Sequence, residues 1–273
     1  MIHPTAIIHP KAQLDSSVRV GPYAIIDEDV QLGPGCIVGP RVYLTGKTEA
    51  GPDNRFFAGC VIGEAPQDLK YKGEPTGLSI GKGNTFREHV TVNRSCDVEL
   101  KTTIGSNNLL MANCHVAHDC RISDSVIIAN GAALGGHVTA DDRAFVSANC
   151  LVHQFCRVGT MAIMRGGSAI SQDLPPYTVV HRTNELCGLN IIGMRRAGLS
   201  SEERMEIKRL YRMLFRSKKN FSQAVAEASQ HNWGPTATLM LDFVRTSKRG
   251  VCSDTSRRLN SNSNSDSDPG SED

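Results

Sequence analysis

Aromatic side chains are scarce in this chain, at 5% of 273 residues with a single Trp. Without rings to supply bulk, the buried interior is expected to be narrow. No stretch approaches the roughly 18 consecutive apolar residues of a membrane span. The opening Met1-Ile2-His3-Pro4 is not a charged segment leading into an apolar one, so neither a span nor an export signal is expected and the predicted location is the cytoplasm. Strong net charge is missing too: 30 Lys plus Arg against 28 Asp plus Glu leave +2, and no nucleic-acid partner is expected. The nine cysteines are odd in number and lack Cys-x-x-Cys spacing, which argues against a disulfide framework and a zinc ribbon and for a reducing compartment.

What is present is a repeat. From Ile2 every sixth residue is apolar: Ile8, Leu14, Val20, Ile26, Leu32, Val38, Leu44 and Ala50 follow. Four places after each of the first seven comes a small or branched apolar residue, from Ala6 to Val42; Thr48 breaks this second series. The register resumes from Ile104 to Ile170, with Cys114, Cys120, Cys150 and Cys156 on the small position, where a thiol is a compact apolar filler. A period of six fits neither a helix nor a lone strand. It predicts a mainly β fold, a hexapeptide parallel β-helix over 1–178 whose coils take about 18 residues each. Gly follows the apolar residue at Gly21, Gly33, Gly39, Gly51, Gly63, Gly81, Gly105 and Gly159, as expected where the backbone adopts conformations that a Cβ resists.

Two segments disturb the hexads, at 64–79 and 93–103, and should emerge as loops. After 178 the period is lost, and 179–252 is predicted to be a small α-helical domain. Ser200-Ser-Glu-Glu203 reads as a capping box opening a helix with Met205, Leu210, Leu214 and Phe215 among its apolar positions, and further helices are expected near 221–228 and 236–244. From Arg195 to Arg249 there are 12 Lys plus Arg against 5 Asp plus Glu, so this part is basic and suits an acidic partner or a solvated helix face. Residues 253–273, almost free of apolar side chains, read as a disordered tail.

Residues about 18 apart stack on one face of such a helix. His118 then lies over Gly136 and Gln154, Asp119 over His137, and Ala117 over Gly135 and His153, with His115 nearby. Imidazole titrates near neutral pH and can serve as a general base, a carboxylate can orient its ring, and a Gly lets a ligand reach a backbone amide that stabilises an oxyanion. The set suits acyl transfer to a hydroxyl with no covalent enzyme intermediate and no cofactor. The alternative is a three-histidine metal centre of the kind found in β-helical carbonic anhydrases. Gly136 and Gln154 among the imidazoles look more like a substrate cleft, and no metal is expected. The Thr arrays of an ice-binding solenoid are missing.

The runs GEAPQDLKYKGEPT (63–76), SNNLLMANCHVAHDC (106–120), ALGGHV (133–138), LVHQFCRVG (151–159) and AISQDLPPY (169–177) resemble the acyl-carrier-protein:UDP-N-acetylglucosamine O-acyltransferases of lipid A biosynthesis. The resemblance implies a left-handed β-helix, a homotrimer with active sites between subunits, and acyl carrier protein and UDP-N-acetylglucosamine as substrates. It implies that His118 is the general base at the sugar 3-hydroxyl, Asp119 its assistant and the Gly136 amide the oxyanion donor. His115, His137, His153 and Gln154 would hold the sugar nucleotide and the pantetheine thioester, and Asp68 and Lys70 the sugar. Asn190 and Arg196 would meet nucleotide phosphate or carrier, and Gly166 would leave room for a longer acyl chain. The sibling N-acyltransferase for 3-amino sugars carries an N-terminal uridine-binding domain, whereas the coils here begin at residue 2. Near the basic turn the chain reads Asn190-Ile-Ile-Gly-Met-Arg-Arg-Ala-Gly198, with Ile192 and Ala197 where the family commonly has an acid and a base.

Overall fold

A computed structural model describes residues 1–217 and 219–254. Short strands, most of them two residues long, stack into three sheets of 9, 8 and 11 strands. Every pairing in the first two sheets is parallel, so the chain visits the three faces of a prism in turn. In each of the first strands the second residue points in, and the row from Val20, Ile26 and Leu32 through Val38 and Leu44 is almost fully buried. The small series, with Ala24, Val30, Cys36 and Val42, is buried as well.

Pairing intervals explain why the hexad frame survives its interruptions. Ile7 pairs with Ile25 and Tyr43 with Val61, each 18 residues on. Val61 then pairs with Thr91, an interval of 30, and Thr91 with His115, an interval of 24. Both excursions add whole hexads, so each apolar residue returns to the inside. Their ends are narrower than the sequence implied: 64–79 shrinks to 65–76 between strands Val61–Glu64 and Gly77–Ile80, and 93–103 to 94–100 between Thr91–Asn93 and Lys101–Ile104. These longer strands gain main-chain pairing that periodicity does not reveal.

The interior departs from expectation in two places. Phe56 and Phe86 are buried and stacked, with centroids 4.9 Å apart, so the prism does admit rings where two coils share them. Beside them, Asn54, Asn84 and Asn108 form a buried ladder: Asn84 donates its amide N–H and its side-chain N–H to Asn54 Oδ1, each at 2.9 Å, and Asn108 N–H donates to Asn84 Oδ1 at 2.9 Å. The glycines after the apolar positions also have another cause. Of the eight, only Gly63 has a positive φ. At Gly33 a Cβ would meet the carbonyl carbon of Gly51 at 2.9 Å, so close approach of successive coils, not unusual dihedrals, demands glycine there. The left-handed residue comes two places later, as at Tyr23, Arg41 and Asp53.

Past the last coil, strand Thr178–His181 still stacks on the third sheet, and Glu185–Leu189 turns back antiparallel to it. Four helices follow among the described residues: α1 (Ile191–Arg196), α2 (Ser201–Phe215), α3 (Phe221–Ala228) and α4 (Pro235–Arg245). The capping box of α2 is present, Ser200 Oγ accepting from the Glu203 amide and Glu203 Oε2 from the Ser200 amide. Ile207, Leu210, Leu214 and Phe215 are buried and α2 packs on α3 and α4, whereas Met205 is 62% exposed and does not belong to the apolar face. The helical end is bolted to the prism by Asp173, whose carboxylate accepts from Arg157 Nε at 3.0 Å and Ser247 Oγ at 2.8 Å while Arg157 covers the Phe243 ring. The first two residues of the expected tail are not disordered: Ser253 and Asp254 form a strand beside Glu185–Leu186, and Asp254 accepts hydrogen bonds from Tyr211 and Arg216. The remainder of that segment lies outside the described residues.

Candidate active site

The turn at 117–119 holds a buried histidine–aspartate pair. Asp119 takes the left-handed conformation, φ +58°, as do His137 and Phe155 one and two coils along. This repeated turn brings the Asp119 carboxylate back onto the ring of its own neighbour, and His118 Nδ1 lies 2.7 Å from Asp119 Oδ2. Burial alone would raise the Asp119 carboxyl, but hydrogen bonds from Ser95 and His118 outweigh it and hold the group below the ordinary carboxylate range. Ser95 Oγ donates to Oδ1 in a very short contact, and the Cys96 amide donates at 3.3 Å. An ionised carboxylate only accepts, so Nδ1 carries the proton and Nε2 presents its lone pair. His118 is thereby set in the tautomer of a general base.

That nitrogen lies against bare backbone. A Cβ on Gly136 would sit 2.6 Å from His118 Cε1 and 2.7 Å from Nε2, so the ring occupies the space a side chain would need. The Gly136 amide N–H has no acceptor among the described residues, whereas those of Gly135 and His137 donate to Val152 and His118 carbonyls. The Nε2 edge of the His118 ring therefore packs against the residue whose amide is free.

A groove of about 630 Å³ opens from this point. His115, His118, Gly136, His153 and Gln154 line it, together with apolar Leu134, Leu151 and Ile170. His115 Nδ1 lies 2.7 Å from Thr91 Oγ1, and burial, with the nearby His118, lowers its pKa. His137 is placed differently. Its ring stacks on Phe155 at 4.4 Å, and its Nε2 stands 3.6 Å from Asp119 Oδ2, so it flanks the carboxylate from outside the groove. Asp68 approaches His118 from the first excursion, while Lys70 is exposed near its tip.

Three further predicted residues do not join this wall either. The Asn190 side chain caps α1, accepting from the Gly193 amide and donating to the Met161 carbonyl. Arg196 ends that short helix, exposed. Gly166 lies at another corner of the prism, where an added Cβ would find nothing nearer than Ala148 O at 3.6 Å. Conversely, Gln67, Ser171 and Thr183 line the groove, and Arg249 reaches its rim, bonding Ser171 O at 3.1 Å and approaching His153 Nδ1 at 3.4 Å. Only the repeat interval could have flagged Ser171, which lies 18 residues past His153; nothing in the sequence ties Arg249 to the groove.

Hexapeptide coils with a hydrogen-bonded His–Asp pair and a free amide beside a groove are the architecture of acyltransferases of the left-handed β-helix class. Residues 101–136 match the bacterial transferase hexapeptide repeats, and residues 173–252 match the second domain of UDP-N-acetylglucosamine O-acyltransferase. The chain is 45% identical to the acyl-(acyl-carrier-protein)–UDP-N-acetylglucosamine O-acyltransferase of Thermodesulfovibrio yellowstonii, over 92% of its own length and 98% of that protein. It is 43% identical to the enzyme of the same name from Herminiimonas arsenicoxydans, with the same coverage. The crystal structure of a UDP-N-acetylglucosamine acyltransferase from Bacteroides fragilis superimposes with a TM-score of 0.88 at 40% identity, covering 92% of this chain and 99% of that one. The chain belongs to the acyl-carrier-protein:UDP-N-acetylglucosamine O-acyltransferase family.

Proposed function

We propose that this protein transfers a (3-hydroxy)acyl chain from acyl carrier protein to the 3-hydroxyl of UDP-N-acetylglucosamine, the first step of lipid A biosynthesis. The observation that carries this reading is the His118–Asp119 pair with the unpartnered Gly136 amide at the ring edge. His118 Nε2 takes the proton of the sugar hydroxyl as that oxygen attacks the thioester carbonyl. The C–O bond forms, the carbonyl oxygen becomes an oxyanion, and the Gly136 N–H donates to it. Asp119 keeps the ring oriented and stabilises the imidazolium. Collapse breaks the C–S bond, and His118 returns its proton to the leaving pantetheine thiolate. Each proton and electron pair is accounted for without a cofactor or a metal.

His115, His153 and Gln154 suit the sugar nucleotide and the pantetheine arm, with Asp68 and Lys70 approaching from the loop and His137 supporting Asp119. Asn190, Arg196 and Gly166 stand apart from this wall. A homotrimer that sets the third sheet of one subunit, whose strand Ile163–Met164 runs between Met161 beside Asn190 and Gly166, against the groove of the next would gather all of them into one cleft. In that arrangement Arg196 meets phosphate or carrier, Gly166 bounds the acyl chain, and the enzyme works in the cytoplasm beside its acidic carrier. The test is mass spectrometry of the product formed from UDP-sugars and a mixed pool of acylated carrier protein. An O-acyl UDP-N-acetylglucosamine is expected, and His118→Ala should lower turnover by about a hundredfold to ten-thousandfold. An amide product, or turnover that barely changes in a folded His118→Ala protein, would refute it.

A further inference from the structure

Beside the base sits a set of donors that acyl transfer does not use in full. The Cys96 thiol, an Asp68 carboxylate oxygen and a ring nitrogen of His118 all lie within 4.8 Å of one another. They come from three separate segments, the two excursions of the solenoid and the turn at 117–119, and converge at His118, which itself lines the groove. We infer that Asp68, Cys96 and His118 form a binding site for a soft divalent cation, zinc above all, and that its occupation shuts off the enzyme by engaging the nitrogen that serves as base.

The donor chemistry selects the ion. One sulfur, one imidazole nitrogen and one carboxylate oxygen suit a borderline-soft, tetrahedral cation with water in the fourth place, and not magnesium, which demands six oxygens. Ligand atoms around tetrahedral zinc stand roughly 3.5 Å apart, so the three side chains need to close by about 1 Å. Asp68 can supply that movement, since it sits on an excursion next to Leu69, which is 98% exposed. With Nδ1 held by Asp119, His118 offers the ion Nε2, and Asp119 becomes the outer carboxylate that typically fixes a metal-bound histidine.

The same surroundings say what Cys96 is not. Burial, then Asp119 and Asp68, push its thiol up to about 12, so it is neither a nucleophile nor an easily oxidised group near neutral pH. Neighbouring negative charge that disfavours a thiolate favours a dication. When the ion binds, the Cys96 S–H proton leaves to solvent, a sulfur–metal bond forms, and nothing is oxidised or reduced.

The binding half of this inference stands on geometry alone; the inhibitory half rests on His118 being the base. Cobalt(II), added to the full chain after chelation, reports both. A thiolate-to-cobalt charge-transfer band should appear at one ion per chain, with one proton released, and should be lost in Cys96→Ser. Zinc should displace the cobalt and lower acyl-transfer turnover at least tenfold, reversibly on adding chelator. Cys96→Ser, measured against its own zinc-free rate, should need at least about tenfold more zinc for half-inhibition, because a hydroxyl is a poor replacement for a soft thiolate. No charge-transfer band, or a band that persists in Cys96→Ser, overturns the site. A band with unchanged turnover overturns the inhibition. A metal-free protein that shows the band with cobalt but never transfers acyl groups would sink the proposed function and leave the metal site standing.

Discussion

Gly136→Ala puts the proposed base to a test with a magnitude read from the structure. The new methyl carbon would stand 2.6 Å from His118 Cε1 and 2.7 Å from Nε2, against ordinary contacts of 3.4–4 Å. The ring must retreat by about 1 Å, and its Nδ1 is tied to Asp119 at 2.7 Å, so it cannot retreat and keep that bond. A misplacement of this size costs about a hundredfold in turnover. The main-chain amide survives the substitution, so the loss reports on the imidazole and not on the oxyanion donor. Steady-state kcat on acylated carrier and UDP-N-acetylglucosamine should fall about a hundredfold, while overpacking lowers stability by only about 1–3 kcal/mol. In a His118→Ala background the same change should cost less than about threefold, because the group it displaces is gone. A Gly136→Ala enzyme that keeps wild-type kcat, or loses the same factor with and without His118, would refute the geometric argument.

Arg94 donates to Gly63 O at 2.8 Å and to Tyr71 OH at 3.0 Å, so it pins the excursion that carries Asp68. Arg94→Ala should raise KM for the sugar nucleotide about tenfold with kcat nearly unchanged, and Arg94→Lys, lacking the planar fork, should rescue little. Asn84→Ala removes the middle rung of a buried ladder: the Asn108 amide loses its acceptor, and Asn54 Oδ1 keeps only the Asn84 main-chain donor, so denaturant titration should show a loss of about 1–3 kcal/mol. Asp119 has a folded pKa below its unfolded value, so its contribution is present above about pH 4 and is lost as the pH falls through the depressed folded value. The stability gap between wild type and Asp119→Asn should therefore shrink below about pH 4, and a gap that widens on acidification would contradict the assignment.

The coils were legible because six-residue periodicity is a property of spacing alone. Once the interval of 18 was known, it followed that His118, Gly136 and Gln154 share one column and Asp119 and His137 another, and the pairing of His115 with Ala133 and Ala133 with Leu151 keeps that interval. The internal asparagines were illegible for the opposite reason. Asn54, Asn84 and Asn108 sit on the small apolar series and violate it, and only the fold shows them hydrogen-bonded to one another across coils. Thr48 was visible as an exception but not as what it is, a buried hydroxyl that donates to the Thr45 carbonyl at 2.7 Å.

Sequence by itself determined which residues stack, since a helix of constant circumference turns spacing into position. It also carried the likeness to the O-acyltransferases through runs such as HVAHDC and ALGGHV. Tertiary structure alone decided the direction in which each side chain faces: His137 turns outward against Phe155, while Arg249 arrives at the groove from beyond the helices. It also decided the tautomer of His118, because that depends on a carboxylate whose ionisation is fixed by Ser95 and Cys96, more than 20 residues away in the chain. Spacing is one-dimensional and survives in a string of letters, whereas orientation and proton position are settled by neighbours that only folding supplies.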